Sequence, residues 1–181
     1  SGLKAIMLAD QAIRSGDAEV IVAGGMESMT NSPYLLENAR SGQRLGHGKL
    51  IDSMIRDGLW DVYNNKHMGN CAEMLAAERN FTRQLQDDYA IDSYNKSISA
   101  IKNKIFSTEI VPIEVNQRKG NSIFVVDDEE PSRVNFDKIK KLRPAFASDG
   151  TITAANASKL NDGAAVLLIM SKQKANERGL K

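Results

Sequence analysis

Two α/β patterns, one at each end of the chain, constrain the fold more than any other feature of the sequence. The apolar spacing over residues 3–14 predicts a mostly buried helix, which the turn Ser15-Gly16-Asp17 ends. The apolar runs 18–25 and 163–170 predict buried strands, and a charged helix follows the second run. A helix, a glycine turn and an apolar strand form the second half of a βαβ unit. The two ends therefore predict one layered α/β core.

Residues 30–153 separate these two patterns and differ from them in composition. They hold all 4 prolines of the chain and are richer in charge. A capping box at Asn70 and Glu73 predicts a helix start. The helix and strand candidates of this segment are 70–79, 83–105, 109–115 and 123–126. The second helix is expected to bury a face made of Leu85, Tyr89, Tyr94, Ile98 and Ile101. The fold class is therefore α/β, with a large inserted α+β domain.

The predicted domain organisation has three segments. Residues 1–29 and 154–181 form part of the α/β core, and residues 30–153 form an inserted loop domain, or lid. The chain begins at Ser1 in helical periodicity and ends in a helix-like stretch at 172–178. We interpret it as an internal segment of a longer protein.

The charge balance excludes a strong overall field. The chain has 24 Lys and Arg against 23 Asp and Glu, which gives a net charge of +1. We therefore expect neither nucleic acid nor a membrane as a partner, and an anion site only where charges cluster locally. The 1 cysteine excludes an internal disulfide framework and fits a reducing compartment.

Two tracts contain residue types suited to ligand binding. Tract 133–143 has five basic residues and follows an acidic run, so it is either a solvated helix start or an anion site for a phosphorylated ligand. Tract 149–165 combines small residues with Asn, Ser and Asp. It is either a tightly packed turn or a place where a ligand, or a hard cation bound by carbonyl oxygens, approaches the backbone.

His67 and Cys71 are a weaker pair of candidates. Their spacing of four residues suggests zinc, but His47 is the other histidine and no second cysteine exists, which argues against a structural zinc site. A His–Cys nucleophile pair is conceivable chemically. Cys71 lies inside a predicted helix, however, and a lone cysteine is usually a small buried hydrophobe.

At these residues the chain resembles a thiolase, closest to the acetoacetyl-CoA thiolase (acetyl-CoA acetyltransferase) group. Residues 22–29 match the strand end of that family, and His67-Met68-Gly69 matches its active-site His-Met-Gly. The most specific match is Asn156-Ala157-Ser158 followed by residues 160–165. The resemblance covers essentially all 181 residues and implies a thiolase-like layered α/β core, present in part.

The resemblance also implies a reaction, the reversible Claisen condensation of two acetyl-CoA to acetoacetyl-CoA and CoA. In the family, a cysteine takes the acyl group as a thioester and a second cysteine removes the α-proton. The family pattern puts the nucleophilic cysteine before Ser1, and puts the histidine, the second cysteine and the water-positioning asparagine after Lys181. We therefore expect no catalytic residue in this chain and an inactive fragment. Cys71 matches a non-catalytic position of the family.

The ligand-binding residues that the resemblance implies fall into three sets. The CoA-binding set is Tyr63, Arg133, Val134, Asn135, Lys138 and Ser158. The acyl pocket would be lined by His67 and Met68. A potassium ion would be held by Tyr63 and by the backbone carbonyls of Ala154, Ala155 and Ala157. CoA enters as substrate and product, and no covalent cofactor is expected.

Assembly, compartment and substrate range are further expectations from the resemblance. Residues 43–55 loosely match the family's tetramerisation loop, which implies a homotetramer built as a dimer of dimers. The implied compartment is the mitochondrial matrix or the cytoplasm. The alternatives are a 3-ketoacyl-CoA thiolase for longer chains or a sterol-carrier-type thiolase, a catalytically silent thiolase-like CoA-binding subunit, and a plain α/β domain without a ligand.

Overall fold

The computed structural model describes residues 1–180, and these form two compact units. One unit combines residues 1–59 with the stretch from Lys159 onward, and the other spans residues 60–158. The division into core segments 1–29 and 154–181 and a loop domain 30–153 stays a prediction.

Helices and strands alternate irregularly along the sequence. The α-helices are α1 (Gly2–Ser15), α2 (Met68–Glu78), α3 (Arg83–Lys102), α4 (Glu129–Arg133), α5 (Phe136–Ile139) and α6 (Lys172–Glu177). The strands are β1 (Val20–Ser28), β2 (Tyr34–Leu36), β3 (Leu50–Asp52), β4 (Trp60–Asp61), β5 (Lys66–His67), β6 (Ile113–Val115), β7 (Ile123–Val125) and β8 (Asp162–Met170). Short 3-10 helices lie at Met29–Asn31 and Ala39–Ser41, and a π-helix lies at Met54–Gly58. No helix within residues 1–180 has the length and hydropathy that a membrane span requires.

The first unit is built on the antiparallel pair β1–β8. Its register runs from Val20 opposite Met170 to Ser28 opposite Asp162. Helix α1 packs against this pair and ends, as predicted, at Gly16, whose φ of 83° is in the left-handed region.

The predicted burial of these strands is wrong for the described residues. Most of β8 is exposed, including Val166, Leu167 and Leu168. The expectation came from a continuous apolar run, which is typical of strands covered on both faces. Within residues 1–180, α1 packs against the β1–β8 pair and leaves the apolar side chains of β8 exposed. The strand β8 therefore has the composition of a buried strand, but it is not buried here.

Gly24 and Gly25 permit the close backbone approach that the sequence suggests. A Cβ on Gly24 would overlap the carbonyl oxygen of Ala165 and lie 2.7 Å from the Cα of Val166. A Cβ on Gly25 would lie 3.1 Å from the Cα of Gly2 in α1. The two glycines therefore let β1 contact β8 on one side and α1 on the other.

Asp162, the first residue of β8, joins the sheet to the turn after β1. Its Oδ1 accepts a hydrogen bond of 2.9 Å from the amide of Thr30. This bond lowers the pKa of the Asp162 carboxyl below its ordinary value, because it favours the charged form.

The contribution of Asp162 to stability is expected to disappear in acid. Because the pKa is lower in the folded state, the contribution is present above the unfolded pKa of about 4 and is lost as the pH falls through the folded value. Urea denaturation of the wild-type and Asp162→Ala proteins checks this. The difference in free energy of unfolding should shrink as the pH is lowered from neutral towards about 3. A difference that stays constant would contradict the assignment.

In the second unit, α2 and α3 hold the loop that precedes β8. The buried apolar residues of this unit include Ala76, Ala90, Pro131, Ile139 and Ile152. Asp87 and Thr153 are equally buried although they are polar. The core of the unit therefore contains a polar network among its apolar side chains.

The predicted start of α2 is wrong. The helix begins at Met68, and its N-cap is His67, whose Nδ1 accepts a 3.0 Å hydrogen bond from the amide of Gly69. Asn70 instead donates to the carbonyl oxygen of Phe146, and Glu73 accepts from the loop at Thr151. The capping-box pattern was present, but both side chains make tertiary hydrogen bonds.

The predicted face of α3 is also wrong in part. Leu85 and Tyr89 are largely exposed and Ile101 is 39% exposed. In contrast, Asp87 and Ala90 are buried and Tyr94 is half-buried. The inward stripe therefore starts with a carboxylate, Asp87, a residue type that is rarely buried unless it is paired. Its charge is paired with that of Arg83, and Asn156 donates a hydrogen bond to it.

Candidate ligand-binding site

The loop 149–158 contains most of the small residues that the sequence singles out, and α2 holds its first part through Glu73. The amide of Thr151 donates to both carboxylate oxygens of Glu73, at 3.0 and 2.8 Å. The Thr151 hydroxyl donates at 3.0 Å and the amide of Ile152 at 2.8 Å. One carboxylate thus satisfies three neighbouring donors of the loop.

Helix α3 holds the second part of the same loop. Asp87, with 2% of its surface exposed, accepts hydrogen bonds from Arg83 Nε at 2.8 Å and from Asn156 Nδ2 at 3.0 Å. The other end of the Asn156 amide, Oδ1, accepts from the amide of Thr153 at 2.7 Å. Arg83 also donates to the carbonyl oxygen of Ile139 at 3.0 Å. The charge of Asp87 is therefore paired and hydrogen-bonded inside the unit.

Between these anchors the loop makes a closed turn. The amide of Ala157 donates to the Thr153 carbonyl at 2.9 Å, and the amide of Ala155 donates to the Thr153 hydroxyl at 3.2 Å. Thr153 is 0% exposed, whereas Ala154 and Ser158 are exposed. The loop is fixed through its polar side chains and presents small residues at the surface.

His67 and Met68 stand at the start of α2. The His67 ring stacks on Phe146 with a centroid distance of 5.0 Å. Since its Nδ1 accepts the Gly69 amide, the proton of the neutral ring is assigned to Nε2, which leaves Nε2 as a donor. Met68 is exposed in part. A fixed N–H donor beside an apolar side chain suits a site that binds a carbonyl oxygen.

Replacing His67 should lower the stability of the start of α2. The His67→Ala variant loses both the N-cap acceptor and the stacking on Phe146, which together predict a loss of about 1–2 kcal/mol in free energy of unfolding. His67→Asn keeps an acceptor and should lose about half as much. Urea denaturation of both variants is the measurement, and equal losses would argue against the cap.

Tyr63 lies in the connection between β4 and β5 and is 94% exposed. Its amide donates to Asp61 Oδ1 at 3.0 Å. The side-chain amide of Asn64, at 2.6 Å from Asp61 Oδ2, is the main cause that lowers the pKa of the Asp61 carboxyl. Cys71 Sγ is 3.7 Å from the same Oδ2, so the thiol is a weak donor to a carboxylate.

Within residues 1–180, no three His, Cys, Asp or Glu side chains come together in a group that could hold a metal ion.

The basic tract 133–143 begins at the last residue of α4 and contains the short helix α5. Arg133 ends α4, where it pairs with Glu129 at 2.9 Å, and both side chains are largely exposed. Val134 and Asn135 connect α4 to α5, and Lys138 lies exposed in α5. The two glutamates in the first turn of α4 agree with the solvated helix start, and the exposed cations remain compatible with an anion site.

The residues expected to bind ligands thus occupy three segments of the second unit: 63–68, 133–138 and 154–158. Sequence reasoning missed the side chains that fix the last segment, namely Glu73, Arg83 and Asp87. A signal for Asp87 was present, because this carboxylate is three and seven residues from Ala90 and Tyr94 on one helical stripe. Glu73 gave a signal too, but the capping box explained it more simply.

Comparisons with known proteins extend this description. Residues 1–173 match the thiolase N-terminal domain. The chain is 54% identical to an acetyl-CoA acetyltransferase of Pseudomonas aeruginosa over 181 residues, which is 99% of this chain and 46% of that protein. It is 51% identical to an acetyl-CoA acetyltransferase of Yarrowia lipolytica, over 99% of this chain and 44% of that protein.

A solved structure shows the same relation. The crystal structure of the Bacillus anthracis acetyl-CoA acetyltransferase superposes with a TM-score of 0.91 at 42% identity, over 100% of this chain and 46% of that one. The chain thus spans less than half the length of these relatives. It belongs to the thiolase family, within the N-terminal domain of that fold.

Proposed function

We propose that the protein carrying this chain is an acetyl-CoA acetyltransferase, which condenses two acetyl-CoA reversibly to acetoacetyl-CoA and CoA. The observation that carries the proposal is the 54% identity, over 99% of the chain, to a protein of that name. The chemical step falls to cysteine and histidine residues expected outside these 181 positions. The chain itself contributes ligand-binding residues.

The proposed CoA contacts come from the exposed cations and the loop. Arg133 and Lys138 would bind the phosphates, since a guanidinium and an ammonium both match a phosphate anion. The exposed pair of Arg133 with Glu129 is weak enough to open for a ligand. Val134 and Asn135 would contact the nucleotide, and Ser158 and Tyr63 the rest of CoA. His67 and Met68 would line the acyl pocket.

A potassium ion is the finer part of this proposal. Carbonyl oxygens are ligands that suit a hard cation. Ala154, Ala155 and Ala157 share one closed turn of small residues, which fits such a donor set. Together with Tyr63, they would hold the ion and stiffen the loop that meets CoA.

Assembly and compartment belong to the same proposal. A homotetramer, arranged as a dimer of dimers, would use residues 43–55, where β3 pairs with β2 and Leu45 and Leu50 are exposed. The compartment would be the mitochondrial matrix or the cytoplasm. Size-exclusion chromatography with light scattering tests the tetramer, and a monomeric protein at micromolar concentration would contradict it.

The test of the reaction is thiolysis of acetoacetyl-CoA by the full-length protein, with and without K+. Activity that rises with K+ supports the reaction and the cation site together. Activity without K+ dependence keeps the reaction and removes the cation. A folded protein that binds CoA but leaves acetoacetyl-CoA intact would favour the catalytically silent subunit.

A second candidate is a thiolase for longer 3-ketoacyl-CoA esters. A similar protein of Staphylococcus aureus, 49% identical over 98% of the chain, is named probable acetyl-CoA acyltransferase, and that name does not restrict the acyl group to acetyl. Rates with a series of 3-ketoacyl-CoA esters separate the two. A preference for acetoacetyl-CoA supports the first candidate, and a preference for longer chains supports the second.

Charge removal in the basic tract tests the CoA site directly. Replacing Arg133 or Lys138 with alanine should raise the KM for CoA about tenfold each, because each loses one charge-assisted hydrogen bond to a phosphate. Lys140→Ala, a nearby exposed cation outside the proposed set, is the matched control and should leave the KM unchanged. Equal effects of all three substitutions would indicate a general field instead of a site.

A further inference from the structure

We infer that Glu73 is a positioning residue for ligand binding: its carboxylate fixes the backbone at Thr151 and Ile152, and so sets the loop 153–158 in a fixed position relative to the start of α2. The inference rests on the proposed function, which assigns that loop and His67 to the same ligand.

The contact between Glu73 and the loop is made entirely by donors of the loop. Thr151 gives its amide and its hydroxyl, and Ile152 gives its amide, at 2.8 to 3.0 Å. Both carboxylate oxygens are therefore acceptors. An amide in place of the carboxylate would turn an N–H₂ group towards one of these donors, and so a nearly isosteric change should break part of the contact.

The loop backbone at Gly150 also lies close to the Glu73 carboxylate. A Cβ on Gly150 would overlap Glu73 Oε1 and lie 3.1 Å from the carbonyl oxygen of Ala147. A methyl group at residue 150 would therefore displace the carboxylate from the loop side. Glu73→Gln and Gly150→Ala disturb one contact from opposite ends, which makes them independent tests of it.

Helix α2 connects this contact to the proposed acyl pocket. His67 caps the helix and Glu73 lies less than two turns further along it. Beyond Ile152 the chain enters buried Thr153 and then the turn that presents Ala154 and Ser158. One short helix therefore holds both the pocket residues and the loop that would contact CoA.

The positioning role of Glu73 predicts that its replacement weakens CoA binding and leaves the turnover number nearly unchanged. In the full-length protein, Glu73→Gln and Gly150→Ala should each raise the dissociation constant and the KM for CoA about tenfold, the factor expected for one lost net hydrogen bond. The kcat at saturating CoA should change less than about twofold, because bound ligand restores the loop position. Glu78→Gln, an exposed carboxylate on the same helix, is the control and should behave as wild type.

Hydrogen–deuterium exchange provides a readout that does not need activity. Amides of residues 147–158 should exchange faster in both variants, with the 83–102 helix unchanged. In the wild type, added CoA should slow exchange in the same loop. Unchanged loop exchange in the variants, or faster exchange with unchanged CoA affinity, would overturn the inference. So would a wild-type loop that CoA does not protect, which decides the matter even if both variants fail to fold.

The two proposals fail in different ways. A wild-type protein that leaves acetoacetyl-CoA intact refutes the proposed reaction, whereas calorimetric CoA affinity and loop exchange still test Glu73. An active wild type whose Glu73→Gln variant keeps its CoA affinity refutes the positioning role alone.

Discussion

The Asp87→Ala variant is expected to lose about 3 kcal/mol of free energy of unfolding in the unit 60–158. Asp87 is 2% exposed and accepts hydrogen bonds from Arg83 and Asn156. Without the carboxylate, the Arg83 guanidinium loses its counter-charge while its side chain remains only 26% exposed. The Asn156 amide loses one acceptor, which weakens the attachment of the loop 149–158 to α3, although Gln86 still donates to the Thr151 hydroxyl.

The neighbouring carboxylate supplies the control. Asp88 lies on the same helix, is exposed, and accepts a hydrogen bond from Gln84 at the surface. Asp88→Ala should change the free energy of unfolding by less than about 0.5 kcal/mol. Urea denaturation, followed by the fluorescence of Trp60 in the same unit, measures both variants. Equal losses for Asp87→Ala and Asp88→Ala would show that the buried pair contributes nothing beyond helix propensity.

The prediction at Asp87 also shows where sequence reasoning stops. Apolar spacing located α1 and α3, and apolar runs located the strands near residues 20 and 163, because both patterns are local properties of the sequence. The strand candidates near residues 113 and 123 were also found. The inward face of α3 depends on a carboxylate whose partner is Asn156, 69 residues away. No local pattern reports such a pair, so Leu85 and Tyr89 were expected inside and lie outside.

The start of α2 shows the same limit in another form. In a capping box, two side chains three residues apart accept hydrogen bonds from the first amides of a helix, and Asn70 and Glu73 have that spacing. In the structure, Asn70 bonds to Phe146 and Glu73 bonds to Thr151. The N-cap of α2 is His67 instead. The polar residues were found from sequence, but their partners were not.

The thiolase motifs were more informative than periodicity. The match at His67-Met68-Gly69 and at residues 156–165 predicted the family, and the comparisons confirm it. Motifs predicted the loop 154–158 as a ligand-binding segment, which stays a prediction. They gave no indication of the Glu73 and Asp87 contacts that hold it, because the matched motifs contain neither residue.

The second large effect is expected at Gly24, where alanine should lower the free energy of unfolding of the first unit by about 3 kcal/mol or more. The added methyl group would overlap the carbonyl oxygen of Ala165 and lie 2.7 Å from the Cα of Val166. Both are backbone atoms of β8, so no side chain can rotate away. The β1–β8 pair must separate locally, which weakens the sheet against which α1 packs.

A glycine in the partner strand gives a control of opposite sign. Gly163 belongs to β8, has no atom within 4 Å of an added Cβ, and has a φ that other residues adopt. Gly163→Ala should therefore raise stability by about 0.4–1 kcal/mol, because alanine has less conformational freedom in the unfolded chain. Thermal and urea denaturation of the two variants compare them directly. If both substitutions shift stability in the same direction, the close approach of β1 to β8 at Gly24 is not what requires glycine there.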